Sequence, residues 1–293
     1  SSAASDVYKR QGDSRSVIVK KNILIMLLVK GCSIVISLLL VPITLGYVSS
    51  ELYGIWLTLS SVVIWLNFFD VGFTLGLKNK LTEAIALGQW DRGKSLVSTA
   101  YFMMTIIFLP LCLLLELFIP FVEWALFLNV SEIYNTEIQK VMSVLVLCFC
   151  LQMIINVLSS VIAAFQKVAL SSVFPVIGNF FSLIVIYLFT KLYPPSLLRL
   201  AVVISVMPIL VGVVASVILF SSQFKKVAPS FKLIDRMYIK DLFSLGLRFF
   251  IIQIQVVVIF QTTNILISNL SGSNDVTSYN ICLLYTSPSP RDA

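Results

Sequence analysis

The stretch from Leu52 to Gln89, LYGIWLTLSSVVIWLNFFDVGFTLGLKNKLTEAIALGQ, constrains the fold more than any other part of the chain. It opens on an aromatic and glycine corner at Tyr53, Gly54 and Trp56, continues as an apolar run carrying one carboxylate, Asp70, and ends in a basic amphipathic segment. At about 1.5 Å per residue, a helix from Gly54 to Leu77 spans the roughly 30 Å hydrocarbon core of a bilayer, and the switch to Lys78, Asn79 and Lys80 marks where it leaves. The pattern predicts a transmembrane helix.

Six more runs of spanning length accompany it, giving seven in all: 22–46, 54–77, 96–121, 141–164, 168–190, 200–222 and 243–269. With 58% hydrophobic residues, 12% charged and a mean hydropathy of +0.98, the chain lies far outside the range of soluble domains. The expected class is all-α, a polytopic transmembrane helical bundle. The net charge of +7 would point to nucleic acid in a soluble protein, but here the charges sit in short segments between helices and are read as topology, with no nucleic-acid partner.

Placing the N-terminus in the cytoplasm puts 13 basic residues inside, in the segments around Arg15 to Lys21, Lys78 to Lys94, Lys167 and Lys225 to Lys240. Only Lys140, Lys191 and Arg199 fall outside, so positive charge orients the bundle. The segment Lys80 to Leu96 carries Leu81, Ile85 and Trp90 at near-helical spacing among charges and is expected to lie along the cytoplasmic interface. The segment from Phe224 to Lys240 repeats this character, broken by Pro229. Its basic residues read either as ordinary anchors or as attractors of anionic headgroups. Prolines at 42, 110, 120, 175 and 208 predict kinked or unwound helices.

The two ends do not fit their neighbours. Asp6 to Gln11 can be coded GAT GTG TAT AAG AGA CAG, and the reverse complement, read one base in, encodes Cys282 to Ser287. The ends are therefore opposite-strand translations of one short DNA that looks like a sequencing-library transposon adapter. On that reading residues 1–11 and 282–293 are adapter-derived, 12–222 form an N-terminal six-helix bundle, and 223–281 begin a second bundle. The exits of the first and seventh runs, Pro42 to Ile55 and Leu266 to Ile281, share a Gly/Ser turn leading to a Tyr. That echo is what a parallel two-bundle repeat would show.

Chemistry-bearing side chains are few. With no histidine, the commonest general base and metal ligand is missing; with no paired acids on a loop and no long loop, the chain reads as a non-enzyme without cofactor or metal. Of the cysteines, 32, 112, 148 and 150 lie in apolar runs and read as small hydrophobes. Ionised groups at membrane depth need a partner or a role. Lys30 and Asp70 each lie eight residues inside the cytoplasmic end of their runs, and so about 12 Å deep. They either neutralise one another, or face a hydrated cavity where Lys30 receives an anionic group and Asp70 binds a proton or coupling cation. Gln152 and Asn156, four apart on one helical face, together with Asn179, Gln253, Gln255, Gln261 and Asn264, either line a polar cavity or hydrogen-bond between helices. Glu116, far along the third run, is expected to be interfacial and solvated.

The residues LYGIW, FDVGFTLGLKNKLTEAIALG and VSTAYF, with NILIS and VTSYNI further on, resemble bacterial O-antigen and polysaccharide flippases of the multidrug/oligosaccharidyl-lipid/polysaccharide exporter superfamily. The resemblance covers 12–281. It implies two six-helix bundles around a central cavity and a multi-pass protein of the bacterial inner membrane that moves an undecaprenyl-diphosphate-linked oligosaccharide by alternating access, coupled to a proton or sodium gradient. It implies membrane lipids, polysaccharide polymerase and chain-length machinery as further partners, and a substrate-facing role for Lys30. Thr263 stands before Asn264 where relatives often carry an acid. The alternative within the same fold is a drug or cation exporter.

Overall fold

The computed structural model describes residues 2–66, 71–128, 130–244, 246–248, 251–252 and 254–255. Among them there is no strand, and the architecture is the all-α polytopic bundle that the apolar runs imply. The helices follow in order: α1 (Ser2–Tyr47), α2 (Ser50–Leu66), α3 (Val71–Ala86), α4 (Trp90–Phe118), α5 (Trp124–Leu128), α6 (Asn135–Ala164), α7 (Val168–Leu192) and α8 (Leu197–Ser221), with a further helical stretch beginning at residue 236. Five segments within them are long and apolar enough to cross a membrane among the described residues: Asn22–Tyr47, Trp90–Phe121, Glu132–Ala164, Val168–Leu192 and Leu197–Ser221.

The second run is described as α2 and α3 on either side of residues 67–70, and whether it is continuous there lies outside the described residues. Two expectations are corrected. The segment Lys80 to Leu96 is not one interfacial helix: α3 continues to Ala86, a turn follows, and α4 starts at Trp90. The reason is packing, since Leu81, Ala84, Leu96 and Val97 are buried in the core and are not available to a bilayer surface. Gly88 makes the turn possible with φ +68°, a left-handed conformation that closes the end of α3 through the bonds Gly88 N–H to Ile85 O and Gln89 N–H to Ala84 O. Arg92 then reaches back across the turn to Glu83 at 3.2 Å. Finally, α6 begins at Asn135, about two turns before the fourth apolar run.

The long helix α6 occupies the middle, packed against α3, α4 and α8 and also touching α2, α5 and α7. It buries Val141, Leu145, Phe149, Met153, Val157 and Val161, a repeat of four residues on the inward side. Helices α7 and α8 cross closely at Gly178, where an added Cβ would stand 2.6 Å from the Cα of Pro208. Beside that crossing the Ser182 hydroxyl lies 3.1 Å from Gly178 O and 3.2 Å from Val203 O. A hydroxyl so placed supplies a donor to carbonyls next to a proline break. Helix α1 lies against α7.

The two ends of the bundle differ in charge. The α3–α4 turn, the α6–α7 turn and the segment after α8 meet at one end: Lys226 sits 4.6 Å from the Trp90 ring centroid, and the Lys167 ammonium donates to Gln223 Oε1 at 2.7 Å. At the other end Tyr47 OH donates to Pro194 O at 3.1 Å, Tyr134 OH donates to Glu51 at 3.3 Å, and Glu137 Oε1 accepts from the backbone N–H groups of Leu197 and Leu198 at 2.9 and 3.3 Å. Three of the basic segments assigned to one side by charge counting, around Lys78 to Lys94, Lys167 and Lys225 to Lys240, therefore share one end of the molecule.

Candidate functional site

Two cavities open among these helices, and one residue borders both. The first, about 290 Å³, lies between α6, α7 and α8 and is lined by Gln152 and Asn156 with Ser159, Ser171 and Ser205. Gln152 and Asn156 are one helical turn apart, and Gln152 Nε2 donates to Asn156 Oδ1 at 2.8 Å. The bond fixes both amides on one face of α6. Across the cavity stand Pro175 of α7 and Pro208 of α8. Each proline lacks the N–H that would bond the carbonyl four residues earlier, at Ser171 and Ile204, and both of those residues also line the cavity. The wall thus combines amides, hydroxyls and backbone next to two helix breaks, with no ionisable carboxylate or amine.

The second cavity, about 480 Å³, lies between α1 and α7 and contains Lys30 with Ser33 and Ser172 among apolar neighbours such as Met26, Leu27 and Val176. Its far wall is again Pro175. Lys30 is exposed there. A cation and hydroxyls therefore lie on one side of the α7 break, and neutral amides and hydroxyls on the other.

A protein-family model described as polysaccharide biosynthesis protein matches residues 19–286. The chain belongs to the polysaccharide biosynthesis protein family. No curated protein and no solved structure matches the chain. Together with five spanning helices, family membership makes this a multi-pass membrane protein of polysaccharide biosynthesis.

In this polysaccharide biosynthesis protein the residues singled out from the sequence are distributed as follows. Gln152 and Asn156 come together; Lys30 occupies the adjoining cavity; Asn179 is one turn beyond Pro175 and lines neither. Asp70, Gln253, Gln261 and Asn264 lie outside the described residues, and so does any ion pair of Lys30 with Asp70. Gln255 is exposed. The serines at 33, 159, 171, 172 and 205 were missed, because a serine in an apolar helix is too common to stand out. The signal that would have found Ser171 was its position four residues before a proline.

Glu116 of α4 is half-buried, and its Oε1 is buried without a hydrogen-bond partner among the described residues. Cys112, one turn earlier on α4, and Cys150 of α6 have their thiols paired beside it. Among the described residues no cluster of three His, Cys, Asp or Glu side chains has the arrangement of a metal site.

Proposed function

We propose that the protein flips an undecaprenyl-diphosphate-linked oligosaccharide, an O-antigen or capsular repeat unit, across the bacterial inner membrane by alternating access, with its N-terminus in the cytoplasm. The observation that carries this reading is the pair of cavities sharing Pro175: an ammonium with hydroxyls on one side, amides with hydroxyls on the other. A diphosphate requires charge compensation in a low-dielectric setting, which Lys30 supplies. Sugar hydroxyls require neutral donors and acceptors, which Gln152, Asn156 and the serines supply. A lipid-linked sugar carries both needs in one molecule, whereas an organic cation would be repelled by Lys30. Prolines in α7 and α8 give helices a place to bend during exchange between inward and outward forms.

The test is binding by the full chain in neutral detergent, comparing undecaprenyl diphosphate with and without its oligosaccharide. Lys30→Gln weakens both ligands by about ten-fold or more, in line with a charge-assisted contact of roughly 1.5–3 kcal/mol. The double change Gln152→Ala with Asn156→Ala removes only the increment due to sugar. If a quaternary ammonium compound competes and Lys30→Gln strengthens its binding, the chain is a cation exporter and the flippase reading fails.

A further inference from the structure

The segment between α8 and the helical stretch that begins at residue 236 is not a loose connection. Phe224 is buried with its ring centroid 4.7 Å from that of Phe165, and Val227 is buried with its Cγ1 over Gly93, 3.2 Å from where a Cβ would stand. Three hydrogen bonds then tie the segment along the first turns of α4. The Ser230 N–H donates to Ser98 Oγ at 2.9 Å, Ser95 Oγ donates to Leu233 O at 2.8 Å, and the Asp235 N–H donates to Thr99 Oγ1 at 3.1 Å. Asp235 is itself engaged by the Met237 N–H at 2.9 Å. The result is an anchored strap across the basic end of the bundle.

What the strap turns outward is unusual for a surface facing only water. Phe231 is 94% exposed and Met237 68%, with Leu233 also exposed. Around them stand Lys225, Lys226, Lys232, Arg236 and Lys240, all exposed, with carboxylates at Asp235 and Asp241. Beneath Phe231 is a hollow of about 260 Å³ lined by Tyr101, Phe102, Thr105, Pro229 and Ile234. Along the same helix the exposed apolar side chains continue at Ile106, Leu109, Leu113 and Leu117, a ridge of three- and four-residue steps. Cations at the rim, an aromatic at the boundary and an apolar track leading away match the three zones of a phospholipid: headgroup, interface and acyl chain.

We propose that the strap and the hollow beneath it form a binding site for an anionic glycerophospholipid of the surrounding leaflet, distinct from the two cavities at Pro175. Lys232 and Arg236 attract the phosphate, Phe231 sits at the glycerol level, and one acyl chain enters past Phe102 and Thr105 onto the α4 ridge. A free phosphate would use the cations alone and leave Phe231 and the ridge bare, which is why a bilayer lipid is the occupant.

Trp90, held under Lys226, is a reporter at this site. With Trp56, Trp65 and Trp124 changed to Phe, it is the remaining one of four tryptophans. The full chain in neutral detergent is titrated with dibrominated phosphatidylglycerol and, separately, dibrominated phosphatidylcholine. Phosphatidylglycerol is expected to quench Trp90 at roughly ten-fold lower concentration, and Lys232→Gln with Arg236→Gln to abolish the preference. Native mass spectrometry of the chain with all its tryptophans, with and without the two substitutions, repeats the comparison without the aromatic changes and should show the same loss of retained phosphatidylglycerol. Equal quenching by the two lipids, or a preference that survives the double substitution in both measurements, overturns the proposal. So does reversal of quenching by millimolar inorganic phosphate, which would reveal a headgroup-only anion site, or displacement by undecaprenyl diphosphate at equimolar amounts, which would make the strap part of the substrate path.

Discussion

Helices α1 and α6 are equally apolar, yet 56% of the spanning part of α6 is buried within the protein and only 6% of that of α1. In water such a difference would be impossible to sustain, because an exposed apolar helix would collapse onto its neighbours. In hydrocarbon the exposed helix loses nothing by facing its solvent, and what separates the two is packing alone. Helix α6 presents side chains that interlock with α3, α4 and α8, whereas Gly31 and Gly46 of α1 have open space where a side chain would begin. The lesson is that apolarity fixes depth in the bilayer and says little about position in the bundle.

That contrast can be broken at three levels. The largest effect is expected where backbones touch: Gly178→Val pushes a side chain into the Cα of Pro208 and should cost about 3 kcal/mol, while Gly31→Val on α1 should leave thermal unfolding in detergent unchanged. Next, Met153→Ala removes a fully buried side chain from α6 and should cost about 2 kcal/mol in lost dispersion contacts. Leu28→Ala, at a site 62% exposed on α1, should change stability by under about 0.5 kcal/mol. If the two substitutions cost the same, α1 is as tightly packed as α6 and the comparison fails. The smallest pair concerns the polar ties at the less basic end. Glu137→Ala uncaps α8 and should cost about 1–2 kcal/mol. Tyr47→Phe, which frees α1 from Pro194, should cost roughly 0.5–1 kcal/mol. Helical circular dichroism on heating reads all of these.

The spanning helices were legible because a bilayer demands long uninterrupted apolar runs, and the clustering of basic segments at one end was legible because insertion sorts charge. The burial of Leu81 and Leu96 was not, since it depends on tertiary contacts that no local pattern records. Gln152 and Asn156 were recognisable as a face by their spacing. That they share a cavity with Pro175 and Pro208, and that Lys30 opens onto a different one, required four helices to be placed relative to each other. For Glu116 the depth along α4 was readable, but the neighbouring Cys150 of α6 was not.

The position of Pro175 as a common wall has a mechanical corollary. On the proposed reading, a change in the angle of α7 at that point would enlarge one compartment at the expense of the other, so that a guest's ionic anchor and its uncharged cargo would communicate through a single pivot. By reciprocity of linked equilibria, whatever tightened the grip on one would then alter the grip on the other by the same factor.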